Sequence, residues 1–361
     1  MKTAIAFLIV LPLHLYGCYE SAATAADHST VTLGIDSAIY NPFPNEQLLC
    51  DYCPTILRDQ KQFSDHGTHA NYKMWHEGVD AISMSVSDDG IHWNLIAPTA
   101  LKGCHPCVVY DENGFEDGMF FYKMWYWTGQ GGTNTDVILF SKSVDGLAWQ
   151  PPIAITQDDA APLVFGNPGD AFFSLYGPGL VLYNNAPTFQ EDMPYTYPYQ
   201  LFYDAVNGAE SRCLESIGFA FSNDGIHWKR YGNEPMFSPS PQETDWDATN
   251  AFHPSIVKVN TIFHLFYSGS NETIAPEKTV SYGHGIGHAI SFDAVHWIKD
   301  TSTPLLAYSQ GVEWRNGRAY RPAVMLDEDS TAVTFKMWFT GGKGGVAGKD
   351  QAIGYVTGTL H

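Results

Sequence analysis

The chain has 361 residues, 44% of them hydrophobic and only 16% charged, and its 33 glycines and 21 prolines make it turn-rich, which favours β structure around a sizeable core. A formal net charge of −20, with only 19 Lys and Arg and no basic runs, excludes nucleic-acid backbones and anionic membrane surfaces as partners, since both need clustered positive charge. Aromatic residues reach 14%, enough to line a ligand cleft as well as a core.

The chain opens on "MKTAIAFLIVLPLHLYGC", one Lys and then an apolar run too short to span a bilayer comfortably, the pattern of an export signal. Two cleavage readings stand side by side. "LYGC" resembles a lipoprotein box with Cys18 as the lipidated residue, while "SAATAADHS" offers ordinary cleavage after Ala25 or Ala26. Residues 1–26 are therefore read as leader and 27–361 as the mature domain, exported to a periplasmic, outer-membrane-anchored or secreted location, with no further membrane span.

Downstream, three short patterns recur in order. A proline followed by apolar residues occurs at Pro54, Pro106, Pro178, Pro254 and Pro322; an aromatic run follows each, "YKMWHEG", "YKMWYWTG", "YQLFYDA", "FHLFYSG" and "FKMWFTG"; and a turn, "SDDGIHW", "SVDGLAW", "SNDGIHW" and "SFDAVHW", closes four of the five units. Each unit reads as strand A after the proline, strand B in the aromatic run, strand C before the turn and strand D after it. Five such units predict an all-β, five-bladed β-propeller with four-stranded blades. The last unit lacks a strand D, and "STVTLGIDSAIY" near the N-terminus is the segment expected to supply it and close the ring.

In an up-and-down blade the D–A and B–C connections share one face and the A–B and C–D connections the other. The four turns, three Ser-x-Asp-Gly and one Ser-x-Asp-Ala, are spread around the rear face and cannot converge on one ligand, so they are read as braces: Gly90 and Gly225 take the turn conformation and the tryptophans wedge between blades. The front mouth collects the functional candidates. The residues before the five prolines, Cys53, His105, Gly177, His253 and Arg321, line the axis. B–C loops add Glu77, Asp136, Asp204, Glu215 and His284, and D–A loops add Asp51, Asp247, Trp246, Glu313 and Trp314.

The order of proline strand, "YKMW" strand and "SxDGxxW" turn, repeated over essentially the whole mature chain, resembles the five-bladed glycosidase propellers of glycoside hydrolase families 32, 43 and 68 and the mannoside phosphorylases of family 130. The resemblance implies cleavage of a glycosidic bond by two carboxylates, an acid and a base or nucleophile. Those families place a catalytic Asp directly before a strand-A proline, and here none of the five positions carries a carboxylate. The expected catalytic residues are thus displaced ones: Asp51 as base or nucleophile, Glu215 as acid, and Asp247 as a third acid that tunes them. His105, His253, Arg321, Trp246, Trp314, Asp136, Asp204 and His284 are expected to bind the substrate. The function read from the chain is an exported glycoside hydrolase, acting as a monomer on an oligosaccharide or glycoside. The alternatives are a non-catalytic carbohydrate-binding surface protein and a glycoside phosphorylase using the basic axis residues for phosphate.

No residue is assigned as a direct metal ligand. The resemblance implies a cation, calcium being the candidate, held near the axis through water by His105 or His253. "HGIGH" at 284–288 is rejected as a metal motif, because four residues of strand span about 13 Å. Of the six cysteines, Cys50 shares parity with Cys104 and Cys53 with Cys107, so two disulfides tying blade 1 to blade 2 are expected, a tetrahedral thiolate–zinc site being the alternative. Cys213 has no evident partner.

Overall fold

The computed structural model describes residues 31–361 except 45, 47, 49–51, 130–136, 158–160, 163–173, 185–195, 207–214, 233, 272–284, 300–302, 309–311, 328–331 and 344–349. Five sheets succeed one another along the chain. Blade 1 is Thr55–Arg58, Tyr72–Glu77, Ile82–Ser87 and Asn94–Pro98; blade 2 is Cys104–Tyr110, Tyr122–Thr128, Val137–Ser143 and Ile153–Ala154. Blade 3 is Ser174–Tyr183, Tyr199–Val206, Glu215–Ser222 and His227–Arg230, and blade 4 is Asn250–Val259, Ile262–Ser270, Gly285–Ser291 and Ile298–Lys299. Blade 5 has Arg318–Leu326, Thr334–Gly342 and Gln351–Leu360, and its outer position is taken by Val31–Leu33 and Ser37–Tyr40, both antiparallel to Gln351–Leu360.

Strand B is buried along its whole length in blade 1, without the in-out alternation of a one-sided sheet, because each blade is covered on both faces by its neighbours. The cores follow from this: apolar side chains of strands B and C from one blade meet those of the next, as where Trp75 and Met84 join Tyr122 and Met124.

The turn motif is a brace. In each of the four copies the Asp carboxylate accepts backbone N–H bonds inside the turn, as Asp89 Oδ1 does from Ile91 and His92, both at 2.8 Å. The turn glycine exposes its carbonyl to the preceding blade, where strand-B tryptophans donate to it: Trp75 to Gly146, Trp125 to Gly225 and Trp338 to Gly90, each at 2.7 Å. A Cβ on Gly146 would stand 2.8 Å from Trp75, and its φ is +79°, so only glycine fits.

A second brace joins the same blade pairs. The Lys two places before each of these tryptophans reaches the first strand-B tyrosine of the next blade: Lys73 to Tyr122 and Lys123 to Tyr199 at 2.7 Å, and Lys336 to Tyr72 at 3.1 Å. In blades 4 and 5 the first strand-B aromatic is Phe263 and Phe335, which offer no hydroxyl, and the blades before them carry Gln200 and His264 in place of Lys.

Closure uses a buried ion pair. Arg315 Nε and Nη2 bond both oxygens of Asp36 at 2.7 and 2.8 Å, with the two side chains 2% and 9% exposed. Blade 4 has the charges reversed at the equivalent place, with Asp247 of the D–A loop against Lys299 of strand D.

Candidate functional site

The five residues that precede the strand-A prolines all have positive φ: Cys53 +42°, His105 +54°, Gly177 +146°, His253 +52° and Arg321 +56°. In blades 2, 4 and 5 the pairing with strand B slips across this dipeptide, between Cys104 and Cys107, Phe252 and Ser255, and Tyr320 and Ala323. A bulge of this kind re-aims one side chain, here toward the axis. Each non-glycine residue held so costs about 1–3 kcal/mol.

The residue five places after the first strand-B aromatic of the preceding blade holds the strained amide. Glu77 Oε1 accepts from the His105 N–H at 2.9 Å, Asp204 Oδ1 from the His253 N–H at 2.8 Å and Ser268 Oγ from the Arg321 N–H at 2.8 Å. The same step thus carries buried carboxylates to the axis twice.

Side chains then meet across the axis. Arg321 Nη2 donates to His105 Nε2 at 2.7 Å, the His105 and His253 rings pack edge to face at 5.8 Å, and His253 Nδ1 lies 3.3 Å from Ser268 Oγ. Behind them a cavity of about 100 Å³ descends between the A strands, bounded by the five prolines. A wider cavity, about 860 Å³, opens on the opposite face among Arg58, Lys61, Asp111 and Lys258.

Burial sets the protonation of this floor. It holds both axis histidines well below the ordinary range, helped by the Arg321 charge, so both are neutral imidazoles. It raises Asp204 to about 7 against the opposing pull of the His253 N–H and Arg321. Asp204 Oδ2 lies 3.8 Å from His253 Nε2, beyond hydrogen-bond reach, and has no hydrogen-bond partner among the described residues. The floor therefore offers one fixed cation, two neutral imidazoles and a carboxyl group that exchanges its proton near neutrality.

Glu215 opens strand C of blade 3 opposite Val206, two residues beyond Asp204, so the register puts Asp204 and Glu215 on one face of the sheet. Diagonal neighbours of this kind have Cα atoms about 7–8 Å apart. The Glu215 N–H is held by Asn250 Oδ1 at 3.0 Å.

The other expected site residues divide. His105, His253, Arg321 and Asp204 come together at the axis. Asp247 is buried, accepts from Tyr267 at 2.9 Å and pairs with Lys299. Trp246 lies over Gly269 and Gly287, and Trp314 over Gly341 and Gly354, each a wedge closing a blade where a Cβ would collide with the indole. Asp51, Asp136 and His284 lie outside the described residues, as do Cys50 and with it the expected Cys50–Cys104 tie. The Cys53–Cys107 disulfide is corrected: both are buried thiols. The bulge breaks the parity on which that pairing was based and turns Cys107 toward blade 3, where its Sγ meets Gly179 O at 3.4 Å and burial pushes the thiol up to about 12.

No protein-family model matches the chain. A curated relative, the beta-1,2-mannobiose phosphorylase of a Thermoanaerobacter species, is 32% identical over 73 residues, 19% of this chain; the match spans about a quarter of that protein, 24%. Among solved structures, a glycoside hydrolase aligns with a TM-score of 0.64 at 15% identity, covering 91% of this chain and 92% of its own. An N-acetylgalactosamine deacetylase from F. plautii, solved with blood group B trisaccharide, aligns at 0.58 and 16% identity, covering 90% and 95%. These likenesses establish the five-bladed fold, one on which more than one sugar chemistry is built.

Proposed function

We propose that this chain, a five-bladed propeller of the kind found in glycoside hydrolases, is an exported carbohydrate-active enzyme that cleaves a glycosidic bond in its front mouth. The observation that carries this reading is Asp204, a buried axial carboxyl that burial raises to about 7 and that shares a sheet face with Glu215. A carboxyl that still holds its proton near neutrality can protonate a leaving glycosidic oxygen, and a second carboxylate on the same face can serve as base or nucleophile. The diagonal placement allows separations of about 5–9.5 Å, the range in which paired carboxyls work on this bond. Asp204 thus takes the acid role expected of Glu215, Glu215 takes the role of base or nucleophile expected of Asp51, and Asp247, the expected tuning acid, is committed to Lys299. His105, His253 and Arg321 form the floor that receives sugar hydroxyls.

The test is turnover of aryl glycosides and plant, fungal and bacterial polysaccharides by the purified protein, with Asp204→Asn, Glu215→Gln and Asp51→Asn alongside. Sugar release that falls about 10²–10⁴-fold in Asp204→Asn and Glu215→Gln, with wild-type kcat/KM declining above about pH 7, is expected. Full activity in both variants overturns the assignment. Phosphorolysis is the second reading, favoured by the guanidinium of Arg321 at the axis; turnover that requires inorganic phosphate selects it. Glycan binding without turnover selects a non-catalytic propeller instead.

A further inference from the structure

Cys53 lies two residues before strand A of blade 1, ahead of Pro54, Glu77 ends strand B of that blade, and His105 lies in strand A of blade 2. A thiol sulfur, a carboxylate oxygen and an imidazole nitrogen, one from each, lie within 4.8 Å of one another, and all three residues are buried. We propose that these three side chains form a binding site for a divalent transition-metal ion of the zinc type.

The donor set determines the class of ion. Thiolate and imidazole suit zinc and its neighbours, whereas calcium and magnesium take oxygen ligands, so the calcium expected near the axis is not the ion these residues would select. Three protein ligands also leave one tetrahedral position for water or substrate. The elements are held in place independently of any ion. Cys53 and His105 occupy the strained positions before prolines, and the Glu77 carboxylate is oriented by its bond from the His105 N–H at 2.9 Å. Cys53 is a thiol and not half of a disulfide.

The two imidazole nitrogens differ. Nε2 accepts from Arg321 at 2.7 Å, so the proton of the neutral ring lies on Nδ1, which is buried with no hydrogen-bond partner among the described residues. Gly177 stands on the Nδ1 side, where a Cβ would come within 2.7 Å of that atom. An ion at Nδ1 takes the place of that proton, which moves to Nε2 and ends the bond from Arg321, and it gives a bond to an atom that otherwise has none. Arg321 works against the ion, because its donation to Nε2 keeps the proton on Nδ1 and its charge lies beside the ring. The site therefore has an internal competitor, which the experiment exploits.

The purified, chelator-stripped protein is titrated with cobalt(II), then with zinc. One equivalent of cobalt is expected to produce a near-ultraviolet thiolate-to-metal absorption that zinc abolishes. Cys53→Ser removes the absorption. Glu77→Gln removes a ligand and weakens cobalt affinity by at least the about 10–100-fold that loss of an outer-shell partner costs. Arg321→Asn, a side chain that tolerates positive φ, strengthens affinity by removing the competing charge. Cys107→Ser, the other buried thiol, leaves the absorption intact. His105→Asn serves as a second ligand variant should Cys53→Ser fail a circular-dichroism check of folding. Absence of the absorption in the wild-type protein, or its persistence in Cys53→Ser, overturns the proposal.

Discussion

Replacing Asp204 with Asn isolates the energetic consequence of burying a carboxyl at the axis. Asn keeps the carbonyl oxygen that accepts the His253 N–H and removes the ionisation. The folded value is about 7 and an unperturbed Asp titrates at 3.8. Between those pH values the folded chain holds a proton that the unfolded chain has lost, so stability falls as pH rises through the window. At 1.36 kcal/mol per tenfold difference, the full effect is about 4 kcal/mol, complete above about pH 7 and absent below about pH 4. Urea denaturation of both proteins from pH 4 to 8.5 reads it directly. The Asn variant is expected to gain on wild type with rising pH, reaching an advantage of about 4 kcal/mol at pH 8. A constant offset between the two across the range would mean that Asp204 does not titrate in this window, and would remove the acid from the proposed chemistry.

Two further substitutions test the frame around the site. Gly146→Ala should cost about 2–4 kcal/mol, because it combines a positive φ with a Cβ 2.8 Å from Trp75, whereas Gly232→Ala, at φ +69° with nothing within 4 Å, should cost only about 1–2; equal losses in urea melts would refute the inter-blade contact. Asp36→Ala leaves Arg315 buried and uncompensated, and should cost about 3–5 kcal/mol, with amide exchange rising first in residues 31–40.

The fold is legible in the sequence because its punctuation repeats. Five prolines and four turns with a fixed acid and tryptophan sort strands and faces without any knowledge of packing, and the ring of His105, Gly177, His253 and Arg321 follows from proline position alone. The site is legible only in part. Glu77 and Asp204 stand out as mouth residues, but their bond to the next blade does not, although both occupy the same place in strand B, five residues after its first aromatic. From their loops alone, Trp246 and Trp314 read as sugar platforms. The contrary signal is in the strands, where Gly269, Gly287, Gly341 and Gly354 fall inside strands B and C, as glycine does where something packs closely. The Cys53–Cys107 pairing fails because alternation does not run through a bulge, which inverts the parity of the residues beyond it.

The places where the repeat departs from itself locate the function better than the places where it holds. On the rear face the Asp-Gly turn is kept nearly letter for letter, and the Lys–Tyr brace disappears only where its hydroxyl partner does, which is the behaviour of parts selected for packing. At the axis the opposite holds. The backbone has positive φ before every proline, near +50° in four blades and +146° at Gly177, yet the side chains are Cys, His, Gly, His and Arg. Glycine would relieve the strain at every position, as it does at 177, and four residues instead keep side chains at about 1–3 kcal/mol apiece. Two of them pack on aromatic rings, His105 on Trp127 and His253 on Phe252 and Tyr320, but all four do so around a small axial cavity. Their retention is accounted for by what they present to the mouth: a thiol, two neutral imidazoles and a guanidinium, backed by the carboxyls of Glu77 and Asp204.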